Sequence, residues 1–162
     1  MQILPDSSCI IALAKIGALE LLERVFGRVV VTREVEREIT AGDFPEVGEI
    51  RKAIGGWIDV GEVESREYEE LESLGEGEKS ILSYAKNSSE DVFLILDEAE
   101  ARAVARAEGF NFTGTIGLIV FACESGRISR EEAVDIVKRL ARSDFRMTVE
   151  LYDWALERLT TV

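Results

Sequence analysis

The chain has 162 residues, and none of them is histidine. Without imidazole, the sequence excludes Ser-His and Cys-His nucleophile pairs, histidine-containing zinc sites and histidine acid–base catalysis. Two cysteines cannot build a four-cysteine zinc site or a disulfide scaffold. Any catalysis must therefore depend on carboxylates, Ser or Thr hydroxyls, Lys or Arg, and a hard metal ion.

The charge is strongly acidic but unevenly spread. There are 32 Asp and Glu against 19 Lys and Arg, a formal net charge of −13, which is unfavourable for binding nucleic acid. Residues 59–78 hold nine acidic side chains and one basic one, and so contribute −8 of that total. Residues 127–146 hold six basic and four acidic side chains. The net charge therefore describes one local region more than the whole surface.

Size and hydrophobicity predict one globular domain covering residues 1–162, because 46% of the residues are hydrophobic. The longest apolar stretch, residues 116–123, is too short to span a bilayer, so we expect no membrane association. The N-terminus lacks the basic segment of a signal peptide, and we expect a cytoplasmic location. One glutamine and two asparagines beside abundant Glu and Arg resemble the composition of a thermophile.

Short apolar runs alternate with helical patterns along the chain, which predicts an α/β fold around a mainly parallel sheet. The first strand covers residues 3–4, and Ser7 or Ser8 can cap the helix that follows it. Thr32 and Ser129 are predicted to cap two later helices. Further strands are predicted at residues 28–31, 57–60, 92–96 and 111–112, with the VFLIL run at 92–96 in the centre. Further helices are predicted at residues 18–26, 32–40, 45–54, 65–74, 78–85, 98–108, 115–124, from Ser129 onward, and 148–159.

Two aspartates occupy equivalent positions at the ends of strands. Asp97 directly follows the 92–96 strand, and Asp6 follows the first strand after one proline. Ligands of open parallel sheets bind beyond the C-terminal ends of the strands, so central strands would bring these two carboxylates together. The alternative is that each aspartate caps the helix that follows it, as strand-end Asp often does.

Two glutamates can join the aspartates. Glu38 borders the apolar face of its predicted helix, with Glu34 as a local competitor. Glu78 follows the Gly75–Gly77 break at the rim of another apolar helix face. The alternative for either glutamate alone is a solvated charge on a helix surface.

Together the four acids predict a metal centre. Neighbouring carboxylates raise one another's pKa, and a divalent cation relieves this repulsion. Mg²⁺ and Mn²⁺ prefer oxygen ligands and can activate water for attack on a phosphodiester. This chemistry requires no histidine.

Segments around these acids resemble PIN domains, in particular a prokaryotic branch of PIN-like proteins. The matching segments are, in chain order, PDSS with the following IIALAKIGALELLERVFG, then VVVTREVEREI, LGEGEKSIL, LILDEAEARAVARAEGF and TGTIGLI. They cover nearly the whole chain. The resemblance implies a three-layer α/β/α sandwich around a mainly parallel sheet and a Mg²⁺- or Mn²⁺-dependent endoribonuclease activity. It also implies kinship with the toxins of VapBC-type toxin–antitoxin pairs, an antitoxin partner and a homodimer.

Position by position, the resemblance assigns roles to six residues. The catalytic acids it implies are Asp6, Glu38, Glu78 and Asp97, and of these it implies Asp6, Glu78 and Asp97 as metal ligands. Ser7 matches the small hydroxyl residue after the first acid, and Thr115 matches a Ser or Thr near the metal edge.

The chain departs from the PIN pattern in two places. Most PIN toxins have Asp where this chain has Glu78, and Glu76 remains a rival for that role. Many PIN domains have a further Asp shortly after the fourth acid, where the nearest acids here are Glu98 and Glu100. A longer side chain changes the distance to a metal ion.

Basic residues that could contact RNA phosphates include Arg102, Arg106 and Lys79, with Lys15 and the bases of residues 127–146 as further candidates. For Arg102, an ion pair with Glu98 one turn away is the alternative. No aromatic and basic motif of an RNA-recognition module occurs.

Two other classes of function remain open on the sequence. The first is a catalytically weak or inactive PIN-like protein that acts as an interaction or oligomerisation module, which the glutamate replacements and the net charge favour. The second is another phosphate-handling α/β domain. It has little support, because Asp6 has no second Asp two residues on and no GxxxxGK[ST] loop occurs.

Overall fold

The computed structural model describes residues 1–161 as five strands and nine helices. The strands are β1 (Gln2–Pro5), β2 (Val29–Thr32), β3 (Ile58–Gly61), β4 (Val92–Ile95) and β5 (Asn111–Thr113). The helices are α1 (Ser7–Lys15), α2 (Glu20–Phe26), α3 (Arg33–Ile39), α4 (Val47–Ile54), α5 (Glu76–Asn87), α6 (Ala99–Glu108), α7 (Thr115–Glu124), α8 (Arg130–Arg142) and α9 (Val149–Thr160).

All strand pairings among residues 1–161 are parallel. β4 lies between β1 and β5, and β2 pairs with β3 in a second, two-stranded ladder. β1 also contacts β2, so the strands follow one another in space as β3-β2-β1-β4-β5. The two strands that end at aspartates, β1 and β4, are therefore direct neighbours.

Helices enclose these strands and give the α/β/α order that the sequence predicts. One connected group contains α1, α3, α4, α5 and α6, and a second group packs α7, α8 and α9 together. The core between them is fully buried at Leu4, Val31 and Leu94. Burying side chains on both faces of a strand is typical of parallel sheets. Within residues 1–161, no helix combines the length and apolar character needed to cross a bilayer.

The predicted capping residues are confirmed at two helices and wrong at one. Thr32 accepts a hydrogen bond from Val35 N at 3.2 Å, and Ser129 accepts one from Glu132 N at 3.1 Å. At α1 the cap is Asp6, and neither Ser7 nor Ser8 fills that position.

The prediction of a helix at residues 65–74 is wrong, because this segment folds as a series of bends and turns. Backbone bonds within the segment form these turns, and side chains of α5 bind two more of its backbone groups. Ser83 Oγ accepts from Glu67 N at 3.1 Å, and Asn87 Nδ2 donates to Ser65 O at 2.9 Å. Tyr68 is buried against the core. The segment is therefore stabilised by packing on α5.

Candidate active site at the C-terminal ends of the strands

Asp6 lies at the centre of the site and is 1% exposed. Its Oδ1 accepts a hydrogen bond from Cys9 N at 2.8 Å, which caps α1, and its Oδ2 accepts one from Asp97 N at 2.9 Å. The register that pairs Pro5 with Ile95 brings these residues together. Asp6 is therefore both the cap of its helix and the neighbour of Asp97.

The side chain of Asp97 is bound by helix α7, although the helix that follows Asp97 in the chain is α6. Its Oδ1 accepts from Thr115 N at 2.9 Å, and its Oδ2 accepts from Thr115 Oγ1 at 2.6 Å. Thr115 is completely buried at the first turn of α7. The N-cap of α6 is Glu98, which makes no side-chain capping bond. Asp97 thus joins the end of β4 to the positive end of the α7 dipole.

Glu38 reaches the site from α3. Its Oε2 accepts a hydrogen bond from Ser7 Oγ, and its Oε1 accepts one from Gly77 N at 3.0 Å. Glu34, its competitor on the sequence, pairs with Arg66 at 3.2 Å instead. The structure therefore places Glu38, and not Glu34, beside Ser7 at the start of α1.

Glu78 reaches the site from the first turn of α5, and its side chain is half-buried. Burial raises its pKa, and the charges of Glu38 and Glu98 raise it further. The rival residue Glu76 pairs with Lys79 at 3.6 Å and with Arg66 at 3.9 Å. Of the two glutamates, Glu78 is the one whose charge raises the pKa of Asp6.

Two glycines make room for the glutamates, and sequence reasoning missed their role. A Cβ atom on Gly77 would lie 2.5 Å from Glu38 Oε2, and one on Gly75 would lie 2.5 Å from Glu78 Oε2. The GEGEK pattern in the sequence indicates only a break between helices. Its alternation of Gly and Glu was the signal that could have identified a close approach of carboxylates to the backbone.

Burial, with repulsion from neighbouring acids as a smaller cause, raises the pKa of both aspartates. Burial raises the pKa of Asp6 to about 8, with the charge of Asp97 as the second cause and that of Glu78 as a smaller one. Burial also raises the pKa of Asp97, against the lowering effect of its Thr115 hydrogen bonds. Perturbed carboxylates gathered at one strand edge are typical of a functional site.

The residues present fit a hard cation in their chemistry, because they offer carboxylate and hydroxyl oxygens and share an excess of negative charge. Each aspartate oxygen accepts one hydrogen bond and keeps a further lone pair. Within residues 1–161, however, no three acidic or sulfur side chains converge closely enough to form a ligand set. An ion would require the longer glutamate side chains to turn toward Asp6 and Asp97.

A cleft of about 440 Å³ opens onto the site beside α1. Its lining includes the acids Asp97, Glu98 and Asp144 and the bases Lys15 and Arg146. Asp97 is therefore accessible from solvent through a cleft that carries charges of both signs.

The predicted RNA-contacting residues lie in different settings. Arg102 and Arg106 both lie over the ring of Phe112, at 5.6 and 5.3 Å, and among residues 1–161 no ion pair joins Arg102 to Glu98. The charge of Arg102 lowers the pKa of Asp97. Lys79 is 9% exposed, and its Nζ faces Glu76 and a backbone carbonyl. Lys79 would have to leave these partners to contact RNA.

Comparison with known proteins identifies the fold family. The family model DUF3368, described as a PIN domain, matches residues 2–161. Searches of curated proteins and of solved structures gave no significant match. The match spans almost the whole chain and agrees with the parallel α/β/α architecture. The chain therefore belongs to the PIN domain family.

Proposed function

We propose that the protein is a metal-dependent endoribonuclease that hydrolyses phosphodiester bonds of RNA at the edge formed by β1 and β4. The observation that carries the proposal is the juxtaposition of Asp6 and Asp97, joined by one hydrogen bond of 2.9 Å. Glu78 adds a third negative charge that acts on Asp6. A nuclease-type fold around this cluster makes phosphodiester hydrolysis the chemistry that fits it best.

The four acids have different parts in this proposal. Asp6 and Asp97 are immobilised by backbone N–H groups, so they can hold Mg²⁺ or Mn²⁺ in a defined place. Glu78 would complete the ligand set from α5. Glu38, with the Ser7 hydroxyl, is placed to orient water or the substrate. When bound, the ion supplies charge neutralisation at the phosphate and lowers the pKa of water.

The same charges predict how RNA binds. Without a cation, the acid cluster repels phosphate, so we expect affinity for RNA to be low and to rise when Mg²⁺ or Mn²⁺ is added. Arg102 borders Asp97, and Arg106 lies exposed one turn away. These two arginines are the phosphate contacts we propose on that side of the site.

Cleavage of a labelled single-stranded RNA in Mn²⁺, in Mg²⁺ and in EDTA tests the proposal. Asp97→Asn is the informative variant, because its amide oxygen can still accept from Thr115 N while its amide nitrogen donates to Thr115 Oγ1. We expect cleavage by the wild-type chain in either metal, and none in EDTA or with the variant. Cleavage in EDTA at an unchanged rate would reject the proposal.

A second candidate is a PIN-like interaction module without nuclease activity. It is supported by the absence, within residues 1–161, of a converged ligand set and by the glutamate at position 78. Titration of Mn²⁺ by calorimetry separates the two candidates. Binding at micromolar to low millimolar metal that Asp97→Asn abolishes supports the enzyme, whereas no heat at millimolar metal supports the module.

We further propose that this nuclease is the toxin of a toxin–antitoxin pair and a cytoplasmic homodimer. The large exposed side chains Phe121 and Trp154 lie on the contacting helices α7 and α9 and offer an apolar surface to a partner. Light scattering of the purified chain tests the dimer. A small neighbouring gene encoding a DNA-binding protein, whose product copurifies with this chain, would support the antitoxin.

A further inference from the structure

Helix α1 separates two clefts that meet the acid site. Ser7, Ile11 and Lys15 follow one another at four-residue spacing, so they lie on one face of the helix. Ile11 and Lys15 line both clefts, the one beside Asp97 and a second of about 250 Å³. This row of three side chains, which we call the α1 ridge, leads from the acids at Ser7 to Lys15, about 12 Å along the helix axis.

The second cleft begins at Glu38 and ends at an exposed aromatic ring. Phe44 is 61% exposed and lines this cleft together with Glu38 and Lys15. It belongs to the loop between α3 and α4. A large apolar side chain held open to solvent next to a catalytic carboxylate has no packing role in the core.

The Phe44 ring lies close to the backbone of its own loop. Gly42 has φ of +79°, a conformation that favours glycine, and a Cβ there would lie 2.7 Å from Phe44 Cε2. The ring therefore lies beside the Gly42 backbone and remains 61% exposed. A flat ligand can contact a ring that is exposed to this extent.

Lys15 supplies the charge between the two clefts. Its Nζ pairs with Asp144 at 2.9 Å, and the two side chains are 36% and 74% exposed. Exposed pairs of this kind contribute little free energy, so a phosphate can replace Asp144 at low cost. Lys15 thus offers one cation that lines both clefts, with Asp144 in the first and Glu46 in the second as its acidic neighbours.

We propose that Phe44 and Lys15 form a subsite for unpaired RNA, in which the Phe44 ring stacks on one base and Lys15 binds a phosphate of the same strand. This inference rests on the proposed ribonuclease function and names the two side chains that would hold a single strand beside the acids. A paired base is stacked within its helix and cannot present a free face to the ring. Aromatic stacking together with a cationic backbone contact is the general means by which proteins bind single strands without reading their sequence.

The test compares affinities for one oligonucleotide as a single strand and as a duplex. Fluorescence anisotropy is measured in Ca²⁺ in place of Mn²⁺, and a gel confirms that the RNA stays intact. Phe44→Ala is expected to weaken binding of the single strand about tenfold, the loss expected for one base–aromatic stack. Its effect on the duplex should be less than twofold. Phe44→Trp should restore the affinity for the single strand.

Two matched controls separate the subsite from general surface effects. Val149→Ala truncates an apolar side chain that is 72% exposed at the start of α9, and it should leave binding unchanged. Lys15→Ala should weaken binding of both RNA forms about threefold and reduce the salt dependence by about one charge. Lys52→Ala is the control for Lys15, because Lys52 is also paired with an acid, Glu49, but lies on α4 and lines neither cleft. It should change neither the affinity for RNA nor its salt dependence.

The outcomes distinguish this inference from the function on which it rests. If the wild-type chain cleaves RNA and Phe44→Ala binds the single strand as tightly as before, the subsite is wrong and the nuclease stands. An equal loss for single strand and duplex also overturns it, because stacking on an unpaired base predicts a difference. A wild-type chain that neither binds nor cleaves single-stranded RNA overturns both.

Discussion

Asp97 N donates a hydrogen bond of 2.9 Å to Oδ2 of Asp6, although the two residues are 91 positions apart in the chain. This bond joins the ends of two neighbouring parallel strands and fixes one carboxylate relative to the other. It also explains why Asp6 can be buried with raised pKa and still occupy a defined orientation. The geometry of the proposed metal centre depends on this pair.

Gly77→Ala is expected to displace Glu38 and lower the rate of RNA cleavage at least tenfold. A methyl group at position 77 would lie 2.5 Å from Glu38 Oε2, so the carboxylate must leave its bond to Gly77 N. The free energy of unfolding should change little. The loss of the Glu38 hydrogen bond is offset by the higher helix propensity of alanine, which is worth up to about 1 kcal/mol. Cleavage rates and thermal unfolding of the purified variant measure the two effects.

Gly48→Ala is the matched control for that change. Gly48 lies within α4, where an added Cβ meets no atom within 4 Å, so the substitution should raise the unfolding midpoint and leave cleavage unchanged. Equal activity of the two alanine variants would show that the position of Glu38 does not matter for cleavage.

Thr115→Val should destabilise the chain and slow cleavage. Asp97 Oδ2 would lose the hydroxyl that donates to it at 2.6 Å. Removing the donor to a partly buried carboxylate costs about 2 kcal/mol, which corresponds to roughly 5 °C in the unfolding midpoint. Thr115→Ser keeps the hydroxyl and should recover most of both losses. A valine variant as stable as the wild type would contradict this account of Asp97.

The sequence predicts the order of most elements correctly because their signals are local. Apolar β-branched runs identify β2 and β4, and hydroxyl caps at Thr32 and Ser129 mark two helix starts. The meeting of Asp6 and Asp97 follows from a general rule for parallel sheets.

What the sequence does not reveal depends on contacts between distant segments. The turns at residues 65–74 are held partly by α5, where Ser83 accepts from Glu67 N and Asn87 donates to Ser65 O. The acceptor role of Glu38 depends on Gly77, 39 positions further along. The helical spacing of residues 65–74 does not reveal the α5 side chains that bind them. In the same way, the position of Glu38 on a helix surface does not reveal its contact with Gly77.

The stability of the metal-free chain should fall as pH rises from about 4 to about 8. Folded Asp6 keeps its proton up to about pH 8, whereas the unfolded chain releases it near the ordinary value of 3.8. The folded state therefore binds more protons in this window, and raising the pH favours unfolding. Between pH 5 and pH 9 in EDTA the loss is about 4 kcal/mol, because one extra proton stays bound over roughly three pH units. We therefore expect the unfolding midpoint to fall by roughly 10 °C.

Two variants that each remove one negative charge check the origin of that pH dependence. Asp97→Asn removes the charge beside Asp6 and should make the slope shallower. Asp59→Asn alters an exposed acid whose pKa is lowered by its hydrogen bond to Arg28, so the slope should stay the same. A midpoint that rises with pH in the wild type, or equal slopes in both variants, would contradict the assignment to the buried pair.

The most direct test of the central claim is the single-turnover rate of single-stranded RNA cleavage at saturating Mn²⁺ for the wild type and Asp97→Asn. Asp6→Asn is less informative, because one amide N–H would face a backbone donor at Cys9 or Asp97 and disturb the fold. We expect Asp97→Asn to remain folded and to lose cleavage at least a thousandfold, since one ligand of the ion is neutralised. Equal rates for the two proteins would contradict an active site built on Asp6 and Asp97.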